Sequence, residues 1–196
     1  MNFKKIFLIL IFFNLQFTNS FSIEPDVFVQ STVNRASTIL SKNITKSEKI
    51  SELKVIAKET VDIEGIGFYT LGNYRKDMNE EELSKYATLF EQYFLKSFSS
   101  RLAEYTNPEI SVNSKEVLSE NYTIVNSVLK GTSDRPEVKI DWRIYTKNPD
   151  SPLIRDLIIE GLSLARTQKE EFASIINSNN GDFKVLFKTL EEFIKN

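Results

Sequence analysis

Histidine and cysteine are both absent from the 196 residues of this chain. Without histidine, the chain lacks the usual general base at neutral pH, the commonest zinc ligand and the middle member of hydrolase triads. Without cysteine, it has no thiolate nucleophile, no disulfide and no lipid-modified cysteine of the lipoprotein type. Any enzyme hypothesis must therefore depend on Asp, Glu, Lys or Tyr.

An excess of charge of one sign is also missing. The chain has 25 basic and 27 acidic residues, and its formal net charge is −2. Proteins that bind nucleic acid usually carry a basic patch and a high isoelectric point. The charge balance therefore predicts no nucleic-acid partner.

The N-terminus has the pattern of a secretory signal peptide. Lys4 and Lys5 precede an apolar block at residues 6–13, which is too short to span a bilayer as a helix. An uncleaved anchor is the alternative, and it is disfavoured because Asn14 and Gln16 interrupt the apolar run. We therefore expect the protein to be exported from the cytoplasm.

Small residues at the −3 and −1 positions place the cleavage site after Ser20 or Ser22. Residues 1–22 are then the signal peptide, and residues 23–196 form one domain that is long enough to bury a sizeable core.

Helical periodicity dominates the first half of the mature chain. In the long helix, apolar residues recur at helical spacing for more than six turns. The pattern predicts four helical segments: residues 25–40, a helix from about Thr45 with a Thr45/Glu48 capping box, a short helix and turn over 62–72, and a long helix from Asn79 to Tyr105.

After Pro108 the pattern changes to that of strands. Alternation in "VKIDWRIY" puts Ile140, Trp142 and Ile144 on one covered face. The predicted strands are residues 110–118, 122–129, 138–145 and 153–162, and the predicted C-terminal helices are residues 167–177 and 182–195. This order predicts an α+β fold in which a twisted antiparallel sheet of four or five strands packs against N-terminal and C-terminal helices.

Two groups of side chains allow both a structural and a functional interpretation. Phe90, Phe94 and Phe98 form a stripe on the long helix that either fills the core or lines an apolar cavity. Asp62 or Asp156 could act as the base of a small hydrolase or isomerase if it lay in an apolar pocket. Ion pairing with neighbouring arginines is the structural alternative for these carboxylates.

Five segments follow one another in a characteristic order and spacing: Pro25-x-x-Phe28-Val29, Asp62 with Leu71-Gly72-Asn73-Tyr74-Arg75, Glu80-Glu81-Glu82 leading to Phe90 and Tyr105, residues 155–163, and residues 167–176. Over the whole mature chain they resemble the MlaC or toluene-tolerance family of periplasmic phospholipid-binding proteins, in its alphaproteobacterial branch. The chain departs from the usual family residues at Phe98, Pro152 and Lys169, where Tyr, Trp and Arg are common. Lysine keeps the charge at position 169 but loses the bidentate fork of arginine.

The resemblance implies a monomeric carrier of glycerophospholipid that is neither an enzyme nor dependent on a metal or cofactor. Its partners would be an outer-membrane lipoprotein–porin complex and an inner-membrane ABC transporter with an MCE-domain subunit, and it would help to maintain outer-membrane lipid asymmetry. The acyl chains of its phospholipid cargo would lie in an apolar cavity between sheet and helices. A periplasmic adaptor without ligand is a further alternative.

Periodicity then selects the side chains expected to contact the lipid. On the fourth strand we choose the face of Leu157 and Ile159, because Ile158 shares its face with Asp156 and Glu160. The predicted lipid-binding residues are Phe90, Phe94 and Phe98 of the long helix, Ile124 and Val128 of the second strand, Ile140, Trp142 and Ile144 of the third strand, Leu157 and Ile159 of the fourth strand, and Phe172.

Overall fold

The structure, a computed structural model, describes residues 22–133 and 135–196. The predicted signal peptide lies outside these residues except for Ser22. The helices are α1 (Pro25–Ser41), α2 (Lys46–Thr60), α3 (Ile63–Leu71), α4 (Glu80–Leu102), α5 (Leu164–Asn177) and α6 (Lys184–Lys195), with a short 3₁₀ helix over Gly72–Lys76. In this part of the chain, no helix is both long enough and apolar enough to cross a membrane.

Helix starts follow the capping signals of the sequence. The Thr45 hydroxyl accepts the Glu48 N–H, and the Glu48 carboxylate accepts the Thr45 N–H, which confirms the capping box of α2. Asn79 and Glu82 form the same arrangement at α4. Two orphan N–H groups are thereby satisfied at each helix start.

The strands are β1 (Ile110–Ser119), β2 (Tyr122–Leu129), β3 (Val138–Tyr145), β4 (Leu153–Ile159) and β5 (Leu162–Ser163). They form one antiparallel sheet in the order β1-β2-β3-β4-β5. The α+β fold with five strands is therefore confirmed. Strands that are neighbours in the sheet are also consecutive in the chain, as expected of a meander.

The last strand was predicted over residues 153–162, and its predicted C-terminal end is wrong, because β4 ends at Ile159. The chain turns at Glu160 and Gly161, which both have positive φ, and returns as β5. Gly161 has a φ of +82°, a conformation that glycine adopts at little cost. Helix α5 then begins at Leu164, three residues before the predicted start, with Ser163 as its N-cap.

One face of the sheet is covered by helices. Ile140, Trp142 and Ile144 are buried on that face, as the alternation of β3 predicts. In the register of β3 with β4, Ile140 lies opposite Ile159 and Trp142 lies opposite Leu157, so Leu157 and Ile159 lie on the same side of the sheet as Trp142.

The main hydrophobic core joins this sheet face to helices α1 to α6, and a smaller cluster packs between α1 and α2. Tyr86 is the largest fully buried side chain. Its hydroxyl lies 2.8 Å from the Thr70 hydroxyl and donates to the Gly67 carbonyl. Burial raises the pKa of this phenol well above its usual value.

Candidate functional site

A cavity of about 260 Å³ lies between helix α4, the start of α5 and strands β3 and β4. Helix α4 packs against α2, α3 and α6, and the cavity separates part of it from the sheet. The apolar lining consists of Val61, Ile66, Phe90, Phe94, Phe98, Trp142, Ile154, Leu157, Leu164 and Ala165. Ten of the seventeen lining side chains are thus aliphatic or aromatic apolar groups, so this part of the cavity suits an apolar ligand.

The aromatic wall of the cavity belongs to one stripe of α4. The Phe94 ring stacks on Phe98 with centroids 5.3 Å apart and on Phe90 with centroids 6.2 Å apart. Phe90 is also in edge contact with Phe172 of α5. Phe90 is only 2% exposed, whereas Phe94 and Phe98 are half-buried. The stripe therefore passes from packed core at Phe90 to cavity wall at Phe94 and Phe98.

The opposite wall holds Trp142 in a fixed orientation. Its indole N–H donates to the Ser127 hydroxyl at 2.8 Å, and that hydroxyl donates to the Ile140 carbonyl at 3.0 Å. A buried tryptophan needs such an acceptor for its N–H group. The polar Ser127 on the covered face of β2 therefore supplies the acceptor that the indole N–H requires.

A polar rim closes one side of the cavity, formed by Tyr93, Ser97, Arg101, Thr167, Gln168 and Glu171. The Tyr93 hydroxyl donates to the Gln168 side-chain oxygen at 2.8 Å, and the Gln168 amide nitrogen donates to the Glu171 carboxylate at 3.0 Å. Burial and then the Glu171 charge raise the pKa of Tyr93. The phenol thus stays neutral and continues to donate near neutral pH.

The two candidate catalytic carboxylates are both engaged in the fold. Asp156 is buried at the start of α5, where it accepts from the Ser163 hydroxyl at 2.5 Å and from the Ala165 N–H at 3.0 Å. Asp62 caps α3 by accepting the Gly65 N–H at 3.0 Å, and it forms an ion pair with Arg155. Each carboxylate therefore has a structural role that accounts for its position.

Five of the predicted lipid-binding residues line the cavity: Phe90, Phe94, Phe98, Trp142 and Leu157. Four others lie beside it without lining it: Phe172 packs on Phe90, while Ile140, Ile144 and Ile159 share the sheet face of Trp142 or Leu157.

Ile124 and Val128 are on the wrong face of the sheet for this cavity. In the register of β2 with β3, Ile124 lies opposite Arg143 and Val128 lies opposite Lys139. Directly opposed residues of an antiparallel pair point to the same side, so both side chains lie on the face away from the helices. Val125, opposite Trp142, occupies the covered face instead and is fully buried.

Several lining residues were missed by sequence reasoning although the sequence carried a signal for some of them. Tyr93, Ser97 and Arg101 recur every four residues on α4, next to the phenylalanine stripe. Helical spacing places them on one side of the helix. The sequence carries no such signal for Val61 and Ile154, because they are distant in the chain and meet through an isolated parallel bridge.

A second depression, of about 790 Å³, is an open groove between α1 and α2. Its walls include Val27 and Val55, which are 60% and 54% exposed, together with polar residues such as Asn34 and Glu52. It is larger than the cavity at α4 and similarly apolar, but it is much more open to solvent. The more enclosed space beside α4, with its aromatic wall, is the better ligand site.

Comparisons with known proteins agree with this architecture. A phospholipid-binding protein from Ralstonia solanacearum, solved in complex with a phospholipid, superposes with a TM-score of 0.73 and 18% sequence identity, and the match covers 88% of this chain and 98% of that one. A search of curated proteins found no significant match. The family model described as MlaC protein matches residues 30–192, and the chain therefore belongs to the MlaC protein family.

Proposed function

We propose that this protein is a periplasmic phospholipid carrier whose cavity beside α4 holds acyl chains. The observation that carries the proposal is the combination of an aromatic, enclosed interior with a polar rim at Gln168 and Glu171. An amphipathic ligand would place its chains inside and its headgroup at that rim. The structurally similar Ralstonia solanacearum protein was solved with a phospholipid, which supports this class of ligand.

The energetics of burial are sufficient for such a role. Removing a sixteen-carbon chain from water is worth about 12 kcal/mol, at roughly 0.8 kcal/mol per CH₂ group. A carrier that holds its cargo by burial needs no covalent bond and no cofactor. Binding rather than catalysis is the activity that this cavity supports best.

Membership of the family extends the proposal to transport. The carrier would act as a monomer and exchange phospholipid with an outer-membrane lipoprotein–porin complex and an inner-membrane ABC transporter bearing an MCE-domain subunit, so as to maintain outer-membrane lipid asymmetry. The signal-peptide pattern of residues 1–22 is consistent with a mature domain of residues 23–196 in the periplasm.

Organic extraction of the purified protein, followed by mass spectrometry, tests the proposal. We expect intact phospholipid in a stoichiometric amount after gel filtration. Protein that emerges without lipid and takes none from vesicles would indicate an adaptor. Lysophospholipid or free fatty acid that accumulates during incubation would indicate a hydrolase, and Asp62→Asn or Asp156→Asn would then identify its base.

Transfer is tested separately with donor and acceptor vesicles. Fluorescent phospholipid should move between the vesicles faster when the protein is present, and cross-linking to the purified MCE-domain subunit tests the inner-membrane partner. Lipid that is bound but never released to acceptor vesicles would support a lipid-storing protein and contradict the carrier.

A further inference from the structure

The rim of the cavity carries one basic and one acidic side chain that lie at its exposed edge. Arg101 is in the last turn of α4, Glu171 is on α5, and both are exposed while lining the cavity. The other charged lining residue, Asp156, is buried and bound to Ser163 and Ala165. The charge accessible to a ligand at the rim is therefore one cation and one anion.

Neither rim charge is neutralised by an ion pair within the described residues 22–133 and 135–196. Their neighbours on α5, Arg166 and Glu170, form an ion pair with each other at 3.0 Å and do not line the cavity. Arg101 and Glu171 thus differ from Arg166 and Glu170 both in lining the cavity and in having no oppositely charged partner in the described part of the chain.

Hydrogen bonds position the acidic side of the rim. A carboxylate can only accept, so the Gln168 amide nitrogen faces Glu171 and its oxygen faces the Tyr93 hydroxyl. Arg101 follows Tyr93 by about two turns of α4, and Glu171 is bonded to Gln168, which is bonded to Tyr93. Both charges therefore belong to the rim that Tyr93 and Gln168 form.

From this arrangement we infer that the rim binds a zwitterionic headgroup, with Arg101 facing the phosphate and Glu171 facing the ammonium group. The inference rests on the proposed function, because it assigns the headgroup of the phospholipid whose chains occupy the cavity. A guanidinium group matches the oxygens of a phosphate. A headgroup that carries only a negative charge would be attracted to Arg101 but repelled by Glu171, and a lipid without phosphate would gain nothing from Arg101.

Competition between lipids with identical acyl chains tests the assignment. The purified protein, freed of lipid, is mixed with vesicles of equimolar phosphatidylethanolamine and phosphatidylglycerol, and the captured lipids are counted by mass spectrometry. We expect phosphatidylethanolamine to be favoured by about two- to fivefold, the range for exposed ion pairs. Glu171→Gln should bring the ratio close to one, whereas Glu170→Gln should leave it unchanged.

Vesicles that also contain diacylglycerol test the role of Arg101. Arg101→Gln should lower capture of both phospholipids relative to diacylglycerol by about two- to fivefold. Arg101→Lys should restore most of this loss, and Arg166→Gln should have no effect. Circular dichroism and thermal melting establish that each variant is folded, as expected for changes at exposed positions.

The outcomes separate this inference from the proposed function. If the wild-type protein captures neither phospholipid, the proposed function fails. A second outcome is that the wild-type protein captures both phospholipids, while Glu171→Gln and Arg101→Gln behave like their controls Glu170→Gln and Arg166→Gln. The protein would then bind phospholipid without selecting the headgroup at its rim. In that case only the zwitterion site is wrong.

Discussion

At the scale of single residues, Ser127 shows how a polar side chain stabilises an apolar wall. Its hydroxyl is the acceptor for the Trp142 indole on the covered face of the sheet. We expect Ser127→Ala to lower the free energy of unfolding by about 1–3 kcal/mol, because the buried indole N–H loses its partner. Urea denaturation measures the change.

Ser114→Ala is the matched control for Ser127→Ala. The Ser114 hydroxyl also bonds within the sheet, to the Asn126 side chain at 2.9 Å, but it is exposed. Water replaces that bond, so the control should change stability by less than about 0.5 kcal/mol. Equal effects of the two substitutions would contradict the role assigned to Ser127.

Phe90 and Phe94 are stacked neighbours on α4 that differ in burial. Phe90→Ala should destabilise the protein by about 3–5 kcal/mol, as expected of a packed aromatic residue. Phe94→Ala should cost less, because part of its ring faces the cavity, and the folded protein should copurify with less lipid. The measurements are denaturation curves and lipid content per folded molecule. If Phe94→Ala is as destabilising as Phe90→Ala and lipid content is unchanged, Phe94 is core and not cavity wall.

At the scale of elements, the periodic segments could be predicted from the sequence, and the choice of face could be predicted only in part. The alternation in β3 has one apolar and one polar face, so the covered face around Trp142 follows directly. In β2 both faces contain apolar residues, and the more apolar one, with Ile124 and Val128, is not the covered one. The covered face of β2 depends on tertiary contacts that the sequence does not show: Ser127 lies on that face and accepts the indole N–H of Trp142.

A β-bulge in β4 was also beyond sequence reasoning. Simple alternation gives Arg155 and Leu157 the same face. The register shifts between Arg143 and Ile144, and Arg155 instead reaches Tyr122 and lies over the Tyr145 ring at 4.0 Å. Bulges of this kind redirect a side chain without a strong local sequence signal.

Helix α5 is tied to the sheet through its first turn. The buried Asp156 carboxylate accepts from Ser163 and Ala165, where the helix dipole favours negative charge. We expect Asp156→Asn to reduce stability by about 1–3 kcal/mol. Asp26→Asn, which removes a 37% exposed carboxylate from the first turn of α1, should cost less.

Chemical denaturation of these two aspartate variants compares a buried helix-terminal carboxylate with an exposed one. Phospholipid recovered from Asp156→Asn should be intact and as abundant per folded molecule as in the wild type. A variant of unchanged stability would show that Asp156 does not hold α5, and its carboxylate would again be a candidate for chemistry.

At the scale of the whole molecule, the size of the cavity implies movement. Its volume of about 260 Å³ is below the ~300–1,000 Å³ that is usual for sites of drug-sized ligands. A lipid with long chains therefore requires the walls to separate. The sheet is a continuous hydrogen-bonded unit, whereas α4 and the start of α5 meet at the rim mainly through side chains such as Tyr93 and Gln168. Because Asp156 ties the first turn of α5 to β4, movement of α4 away from the sheet and from α5 should be the easier way to widen the cavity.

Hydrogen exchange of lipid-free and lipid-loaded protein measures where this movement occurs. We expect loading to slow amide exchange in residues 93–101 and 164–171 more than in strand β1, which β2 separates from the lining strand β3. Because a ligand that binds only the folded state stabilises it, loading should also raise the melting temperature. Uniform slowing over the whole chain would reflect global stabilisation alone. Slowing confined to α1 and α2 would place the lipid in the open groove between those helices, and the cavity beside α4 would lose its assigned role.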